Sequence, residues 1–357
     1  MIDVLIVGGG IAGSVLAMQL HKAGHEIILM DNPQKSSASR VAAGLINPIA
    51  GKRFEIAWKY DELLDDAFEM YSSMQTVLQT NTYVRNVSLQ RLFADEKEKN
   101  TFERKYADGI YERYVEDCFD SHDERINKFI VNDYGGFYTK QSAVFEYSMF
   151  LDDVHSFLSE RILYEECSNA SISKIPGGWK LQLKDSAVET HTIVFCDGWH
   201  GMNNPFVQSS NVQFDVTKGE MCIIHAPEIP QTDVISKGFA LIPVGKNTFR
   251  CAATFQWNEY HAVPTKFGYE RLNDRIQSMI CCDWTMLEHS AGIRPTVFDH
   301  KPIIGEHPKY PSMFIFSGLG TKGALYAPYF SKKIQKLLEK TKVDIEPEVH
   351  IQRWWNL

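Results

Sequence analysis

The chain has 357 residues, of which 44% are hydrophobic and 23% charged, and its 37 basic and 45 acidic side chains give a net charge of −8. This is the composition of a globular protein, and the length predicts two domains with an ample core. The acidic balance offers no overall attraction to nucleic acid or an anionic membrane, which disfavours a polyanionic partner without excluding one. We expect a cytoplasmic protein without a bound metal, because the seven cysteines form no Cys-x-x-Cys pair, no His/Cys cluster has zinc spacing, and the amino terminus lacks a basic leader. No stretch reaches the roughly 18 apolar residues of a membrane span.

The first 31 residues have the pattern of a strand, a glycine-rich turn, a helix and a second strand. The apolar run 3–7 precedes Gly8, Gly10 and Gly13, which form a Gly-x-Gly-x-x-Gly motif. In such a turn the first glycine permits the bend, the second lets the backbone approach a pyrophosphate, and the third lets the helix pack on the strand. The second strand ends at Asp31, where a carboxylate would bind ribose hydroxyls and repel a 2′-phosphate. The motif therefore predicts FAD or NAD and disfavours NADP.

The middle of the chain alternates between helical and extended patterns. Apolar residues at helical spacing predict helices over 57–78 and 142–162, and the charged segment 96–125 between them has the pattern of a surface excursion. The later runs predict strands at 172–175, 179–183, 192–196, 213–217, 220–225, 238–243 and 248–255, and a helix over 265–281. The first three strands form a meander that returns to the nucleotide-binding part, and the other four suit an antiparallel sheet.

A second Gly-x-Gly-x-x-Gly motif lies near the end of the chain. Gly318, Gly320 and Gly323 fall between a predicted strand at 313–316 and a predicted helix at 324–340. The motif is compatible with a second adenosine dinucleotide or with a helix start that faces the far end of one extended cofactor. Helix amides would stabilise the negative charge of a reduced flavin. One FAD between the two turns accounts for both motifs.

These elements predict an α/β fold, in which a Rossmann-like FAD-binding domain with a parallel sheet contains an inserted substrate domain with an antiparallel sheet. The predicted FAD-binding domain comprises residues 1–80, 140–210 and 288–357, and the predicted substrate-binding domain comprises residues 81–139 and 211–287.

Four segments connect the chain to a known family: residues 8–13 with Asp31, residues 38–48, residues 291–305 with a Gly-Ile-Arg-Pro sequence, and residues 318–323. In these segments the chain resembles the D-amino-acid oxidase and glycine oxidase family of FAD-dependent amine oxidases. Segments 38–48 and 318–323 are most similar to the oxidase half of bifunctional enzymes that remove a carboxymethyl group from the tRNA wobble uridine. The chain has no room for their methyltransferase half, and its acidic charge gives no reason to expect tRNA.

The resemblance implies a set of residues that contact FAD. Ser39, Ala43 and Gly44 would line the pyrophosphate and flavin, and Ile172 would supply a backbone contact to the adenine. The full implied set is Gly8, Gly10, Ile11, Ala12, Gly13, Asp31, Asn32, Ser39, Arg40, Ala43, Gly44, Ile172, Asp197, Gly198, Trp199, Arg294, Gly318, Gly320, Thr321, Lys322 and Gly323.

The resemblance also implies a catalytic set of Arg294, Phe239 and Asn47. Arg294 would bind the substrate carboxylate, because a planar guanidinium can donate two parallel hydrogen bonds to it; the alternative for this arginine is a structural salt bridge. Phe239 stands where many members place a tyrosine over the substrate. Asp197 is another departure, since a carboxylate near the pyrophosphate is unfavourable unless it points away.

The predicted reaction is oxidation of the C–N bond of a small carboxylate-bearing amine, such as glycine, sarcosine, an N-substituted glycine or a D-amino acid. Hydride would pass to flavin N5, the imine would hydrolyse, and oxygen or another acceptor would reoxidise the flavin. One alternative is a tRNA-modifying oxidase, which a basic patch beside the pocket would favour. Another is a flavin-binding protein without turnover, which a blocked or apolar pocket would favour. The carboxy-terminal residues 353–355 are expected to pack on the body of the protein or to form a homodimer contact.

Overall fold

The computed structural model describes residues 1–32, 37–80, 82–126, 128–167 and 171–355. Its strands are β1 (Ile2–Val7), β2 (Ile27–Met30), β3 (Leu45–Ile46), β4 (Ile49–Ala50), β5 (Glu55–Ile56), β6 (Val84–Leu92), β7 (Val115–Phe119), β8 (Gly136–Phe145), β9 (Ile162–Leu163), β10 (Ile172–Ile175), β11 (Gly178–Gln182), β12 (Ala187–Phe195), β13 (Thr217–His225), β14 (Val234–Ser236), β15 (Ala240–Gly245), β16 (Thr248–Ala252), β17 (Gln256–Trp257), β18 (Thr285–Arg294), β19 (Ile303–Glu306) and β20 (Met313–Ser317). Its α-helices are α1 (Ile11–Lys22), α2 (Tyr60–Leu78), α3 (Glu96–Ala107), α4 (Tyr147–Phe157), α5 (Pro205–Gln208), α6 (Lys266–Gln277) and α7 (Gly323–Leu338).

The first sheet is built around β1. Strand β1 pairs in parallel with β2 and β12, β12 pairs in parallel with β20, and β2 pairs in parallel with β9. Strands β10, β11 and β12 form the predicted antiparallel meander at one side. Helices α1 and α7 pack against each other, and α1 is buried on almost every side, as an apolar helix in a layered α/β core should be.

The second sheet has the strand order β17-β13-β16-β15-β14-β6-β8-β3, with β18 paired to β13 and β7 paired to β8. Most of these pairs are antiparallel, and helix α6 packs on the sheet. Leu272 and Ile276 of α6 are fully buried in a cluster with Leu241 and Phe249 of β15 and β16. The mixed α/β fold with one largely parallel and one largely antiparallel sheet confirms the predicted fold class.

Several element predictions need correction. The helix predicted over 142–162 begins only at Tyr147, because the preceding residues of β8 pair with β6. The strands predicted at 213–217 and 220–225 are replaced by the single strand β13, and Phe214 forms only an isolated bridge. Strands β6, β8 and β18 were not predicted.

The two sheets draw on different parts of the chain. The first takes its strands from residues 2–30, 162–195 and 303–317, and the second from residues 45–46, 84–145 and 217–294. Strands β8 and β18 run across the boundaries predicted at 140 and 288, and the division into domains stays a prediction. Within the described ranges, none of the helices has the length and apolar character needed to cross a membrane.

Candidate functional site

A cavity of about 1280 Å³ is lined by residues of both sheets and of the loops that follow their strands. Typical small-molecule sites span roughly 300–1,000 Å³, so this cavity can hold a ligand larger than a single small metabolite. Both glycine-rich turns line it, as does Arg294.

At one end lies the turn between β1 and α1. Gly8 has a φ of +111°, which favours glycine, and its amide donates to the carbonyl of Met30 at 2.8 Å. The amide of Ile11 donates to Ser39 Oγ at 3.1 Å. A Cβ placed on Gly10 would meet only the Ser39 and Ser37 hydroxyls, at 3.3 and 3.7 Å. The wall at Gly10 is therefore bare backbone open to a ligand.

The start of α7 lies directly beside the start of α1. A Cβ on Gly323 would come within 2.9 Å of Ile11 Cγ2, so these helix starts approach each other closely. The Ala324 amide donates to the hydroxyl of Tyr147 at 2.8 Å, and burial raises the pKa of Tyr147 to about 12. Two adjacent helix amino termini open to one long cavity fit a single extended dinucleotide such as FAD, with its phosphates at α1.

Arg294 is the last residue of β18 and lies opposite Thr217 of β13. Its guanidinium stacks over the ring of Phe255, with 4.4 Å from Cζ to the ring centroid, and both terminal nitrogens donate to the carbonyl of Thr254 at 3.4 Å. A side chain on Gly219, also on β13, would occupy the space of the guanidinium.

Burial of Arg294 lowers its pKa to about 10, so it remains a cation at neutral pH. Among the described residues, no carboxylate lies within ion-pair distance of this guanidinium, so the structural salt bridge weighed as the alternative is not formed there. A desolvated cation without a counter-ion on a cavity wall favours an anionic ligand.

Behind this wall lies a buried ion pair. Lys218 Nζ and Glu220 Oε1 are 3.0 Å apart, with side chains only 1% and 0% exposed. Thr265, the N-cap of α6, donates to Glu220 through its amide at 3.0 Å and its hydroxyl at 2.7 Å, and His289 Nε2 lies 2.8 Å from the same carboxylate. Burial acts to raise the pKa of Glu220, but the hydrogen bonds from Thr265 and the Lys218 ammonium outweigh it and lower the pKa. Glu220 thereby anchors α6 to β13.

The structure brings together most of the residues that the sequence singled out. The cavity is lined by Gly8, Gly10, Ile11, Ala12, Asp31, Asn32, Ser39, Ala43, Gly44, Asn47, Asp197, Gly198, Trp199, Phe239, Arg294, Gly318, Gly320, Thr321, Lys322 and Gly323. Burial and the nearby Lys301 charge lower the pKa of Lys322. The carboxylate of Asp197 accepts a hydrogen bond from Asn204 Nδ2 at 3.0 Å, within the turn that follows β12.

Three residues of the implied FAD set lie outside the cavity lining of the described structure. Gly13 packs on the Gly8 carbonyl, where a Cβ would clash. Arg40 forms an ion pair with Asp152 at the surface. Ile172 pairs with Leu181 between β10 and β11.

Sequence reasoning missed a group of cavity residues near Arg294. Phe255, Trp257, Phe267, Arg271 and Arg275 all line the cavity. The last three are spaced by four residues within a predicted helix, so the sequence could have placed them on one helix face. No comparable signal marked Phe255 and Trp257, because exposed aromatics look like core residues in a sequence.

The two glycine-rich turns and the cavity between them fit a dinucleotide, and the comparisons give the family. Residues 3–337 match the family model of the DAO family, the FAD-dependent oxidoreductases, so the chain belongs to that family. It is an enzyme with FAD as its cofactor, and the alternative of a flavin-binding protein without turnover is set aside.

Glycine oxidases and an iminodiacetate oxidase are among the similar proteins. A glycine oxidase of Geobacillus kaustophilus is 23% identical over 97% of this chain and 95% of the relative, and a glycine oxidase of Bacillus subtilis is 26% identical over 43% of this chain and 42% of the relative. Among solved structures, the Geobacillus kaustophilus glycine oxidase has a TM-score of 0.83 at 20% identity, covering 97% of this chain and 96% of that one. An iminodiacetate oxidase from Chelativorans sp. BNC1 has a TM-score of 0.79 at 16% identity, covering 99% and 98%. At these identities the solved structures show a shared fold.

Proposed function

We propose that this FAD-dependent oxidoreductase oxidises the C–N bond of a small amine that bears a carboxylate: glycine, sarcosine, an N-substituted glycine or a D-amino acid. The observation that carries the proposal is Arg294, a desolvated cation on the cavity wall with no acidic partner among the described residues. The glycine oxidases among the similar proteins support the same substrate class.

In this proposal Arg294 binds and orients the substrate. Its two terminal nitrogens are turned to the Thr254 carbonyl, and its face is covered by the Phe255 ring, so the guanidinium has a fixed plane. Because the terminal edge faces Thr254, the side edge of the guanidinium, with Nε and one terminal nitrogen, would donate two parallel hydrogen bonds to a carboxylate and fix the position of the adjacent α-carbon. Asn47 and Phe239, which line the same cavity, complete the proposed substrate end.

The cofactor would lie along the two glycine turns. Asp31 would accept hydrogen bonds from the ribose, the Gly8 to Ala12 turn would bind the pyrophosphate, and the Gly318 to Gly323 turn would hold the flavin end. When bound, the flavin supplies the acceptor for the hydride that leaves the α-carbon. The substrate amine would react in its neutral form, so no side chain has to act as a general base.

The proposal also covers the electron acceptor, the oligomeric state and the cellular location of the enzyme. Oxygen or another acceptor would take up the electrons, and the imine product would hydrolyse in water. We retain the homodimer and the cytoplasmic location as proposals. Of the two arrangements predicted for the carboxy-terminal residues, the structure has the packing on the body of the protein. Trp354 is buried, and Arg353 Nε lies 2.9 Å from the Asp299 carboxylate.

The test is anaerobic bleaching of the flavin by N-substituted glycines, D-amino acids and simple amines. Replacing Arg294 with alanine should leave FAD content intact and weaken substrate capture by about 2–3 kcal/mol, roughly thirtyfold to 150-fold. Arg294→Lys should restore part of the loss, because an ammonium lacks the paired donors. Arg104→Ala, on the exposed face of α3, is the matched control. If carboxylate-free amines bleach the wild type as fast as amino acids do, and Arg294→Ala behaves the same, the proposal is wrong.

A further inference from the structure

The cavity wall beyond Arg294 carries three large aromatic side chains that remain about half exposed. Phe255, Trp257 and Phe267 are 49%, 58% and 52% exposed, and all three line the cavity. We call them the aromatic rim. Exposed apolar side chains grouped on one wall of a pocket mark a surface that a ligand covers.

The aromatic rim begins at Arg294 itself. Phe255 lies under the guanidinium, and the Trp257 ring stacks beside Phe255 with 6.5 Å between centroids and 28° between planes. Trp257 and Arg294 are both paired with Thr217, from the two sides of β13. A substrate held by Arg294 would therefore lie next to Phe255, the first residue of the rim.

Helix α6 adds Phe267 and two arginines to this wall. Arg271 lies over the Phe267 ring, with 5.4 Å from Cζ to the centroid, and Arg275 donates to the carbonyl of Gly238 at 3.1 Å, next to Phe239. Both arginines line the cavity, and neither forms an ion pair within the described part of the chain. The part of the wall formed by α6 therefore carries two positive charges.

The parts of this wall are tied to one another. Glu220 accepts hydrogen bonds from Thr265 at the start of α6, and its own amide donates to Thr254 Oγ1 at 2.9 Å. Thr254 immediately precedes Phe255, and Thr265 lies two residues before Phe267. The fully buried Glu220 thus fixes both sides of the aromatic rim before any ligand arrives, which reduces the ordering cost of binding.

We propose that the substrate carries, besides the carboxylate bound by Arg294, a planar aromatic group that packs on the aromatic rim and a second anionic group bound by Arg271 and Arg275. The inference rests on the proposed function and narrows it to amino acids with an aryl substituent that ends in an anion. Glycine or sarcosine would leave the rim and both arginines in contact with water. An aromatic ring gains stacking contacts there, and an anion at its far end gains charge-assisted hydrogen bonds.

The test uses three ethers in which oxygen replaces the reactive amine nitrogen: methoxyacetate, benzyloxyacetate, and benzyloxyacetate with a carboxylate in the para position of the ring. Binding to the FAD-loaded enzyme is measured by calorimetry and by the change in flavin absorption. We expect the ring, and then the second carboxylate, each to tighten binding by about tenfold. All three ethers should lose affinity in Arg294→Ala.

Substitutions in the cavity wall separate the contribution of the aromatic ring from that of the second carboxylate. Trp257→Ala and Phe267→Ala should each reduce the gain in affinity that the ring provides. Because Trp257 lies on β17 and Phe267 on α6, a local distortion caused by one substitution would not explain the same result in the other. Arg271→Gln combined with Arg275→Gln should remove only the gain from the second carboxylate. Tyr269→Ala, on the same helix but outside the cavity lining, and Arg104→Gln on α3 should leave all three affinities unchanged.

Failure of this inference differs from failure of the proposed function. If methoxyacetate binds in an Arg294-dependent manner but the ring and second carboxylate add nothing, the inference is wrong and the proposed function stands. If methoxyacetate binding does not depend on Arg294, both are wrong. If a single-stranded RNA oligonucleotide binds through Arg271 and Arg275 while the substituted ethers bind no tighter than methoxyacetate, the wall serves a polyanion and the inference is overturned.

Discussion

The backbone amide of Gly9 donates a hydrogen bond to Oδ1 of Asp31, with 3.1 Å between nitrogen and oxygen. A Cβ on Gly9 would lie 2.6 Å from Asp31 Cγ, so the carboxylate rests directly on the glycine turn. The turn thus holds one carboxylate oxygen of Asp31, and Asp31 is one of the residues that line the cavity. The arrangement orients the carboxylate before a ribose arrives.

Replacing Asp31 with alanine should therefore weaken FAD binding by about 1–3 kcal/mol, the range for a hydrogen bond to a charged group. The measurement is the FAD dissociation constant of the reconstituted apoprotein. Asp65→Ala, at an exposed position of α2, is the control. Unchanged FAD affinity in Asp31→Ala would show that the ribose lies elsewhere.

Alanine substitutions at Gly10 and Gly13 of the first glycine motif should have different effects on FAD binding and on stability. A Cβ at Gly10 meets only serine hydroxyls and Gly10 has an ordinary φ of −74°, whereas a Cβ at Gly13 would strike the backbone carbonyl of Gly8. We expect Gly10→Ala to retain the thermal stability of the apoprotein but lose FAD, because the methyl group occupies the pyrophosphate wall. Gly13→Ala should lower the stability of the apoprotein by about 1–3 kcal/mol. Thermal unfolding of the apoproteins and their FAD content after reconstitution distinguish the two, and equal behaviour would contradict the assignment.

The Lys218–Glu220 pair gives a prediction about stability. Glu220→Gln leaves the buried Lys218 ammonium without its counter-ion, so the free energy of unfolding should fall by about 3–5 kcal/mol. Lys218→Met combined with Glu220→Gln removes the uncompensated charge and should recover part of that loss. Denaturant unfolding of the wild type, both single variants and the double variant forms a thermodynamic cycle. If the double variant loses as much unfolding free energy as the two single variants lose together, the two charges do not interact.

A pH dependence follows from Glu346, which accepts hydrogen bonds from Lys59 at 2.6 Å, from Lys333 at 3.0 Å and from the Tyr329 hydroxyl. Burial acts to raise the pKa of Glu346, but these hydrogen bonds outweigh it and lower the pKa from 4.5 to about 2. Because the folded pKa lies below the unfolded value, the ionised carboxylate stabilises the fold fully above about pH 4.5, and this stabilisation is lost as the pH falls towards 2.

Glu346→Gln should therefore be less stable than the wild type at pH 7, by about 1–2 kcal/mol, and the difference should shrink between pH 4.5 and pH 2. Unfolding free energies measured across this range give the result. Glu160→Gln, at an exposed position, should show no such trend. A constant difference between wild type and Glu346→Gln at all pH values would refute the linkage.

The sequence predicted the parts of the site that depend on local backbone chemistry. The roles of Gly8, Gly10 and Gly13 follow from the strand and helix around them, and the second glycine turn was found in the same way. Arg294 was assigned through resemblance, since β18 was not predicted: only its last three residues before Arg294 are buried, and its form depends on pairing with β13.

The cationic and aromatic wall could not be read from the sequence for a different reason. Phe255 ends the strand predicted at 248–255, but β16 stops at Ala252, so Phe255 lies in the connection to β17, which contains Trp257. An apolar residue in a predicted strand is expected to face a core. The exposure of Phe255 and Trp257 depends on how β13 and α6 are placed, which involves residues far apart in the chain. Glu220, the residue that joins them, is a buried charge, and no sequence pattern identifies which acid will be buried.

Gly219 bears on how relatives of this chain should be compared. The guanidinium of Arg294 occupies the space that a side chain at 219 would fill, so the position of the cation is set by a missing side chain on the neighbouring strand. A homologue that keeps arginine at the position of 294 but has a larger residue at that of 219 could not place its guanidinium in the same way. The presence of this arginine alone is therefore a poor marker of substrate class, and the glycine and arginine need to be matched together when sequences are sorted by the acids they oxidise.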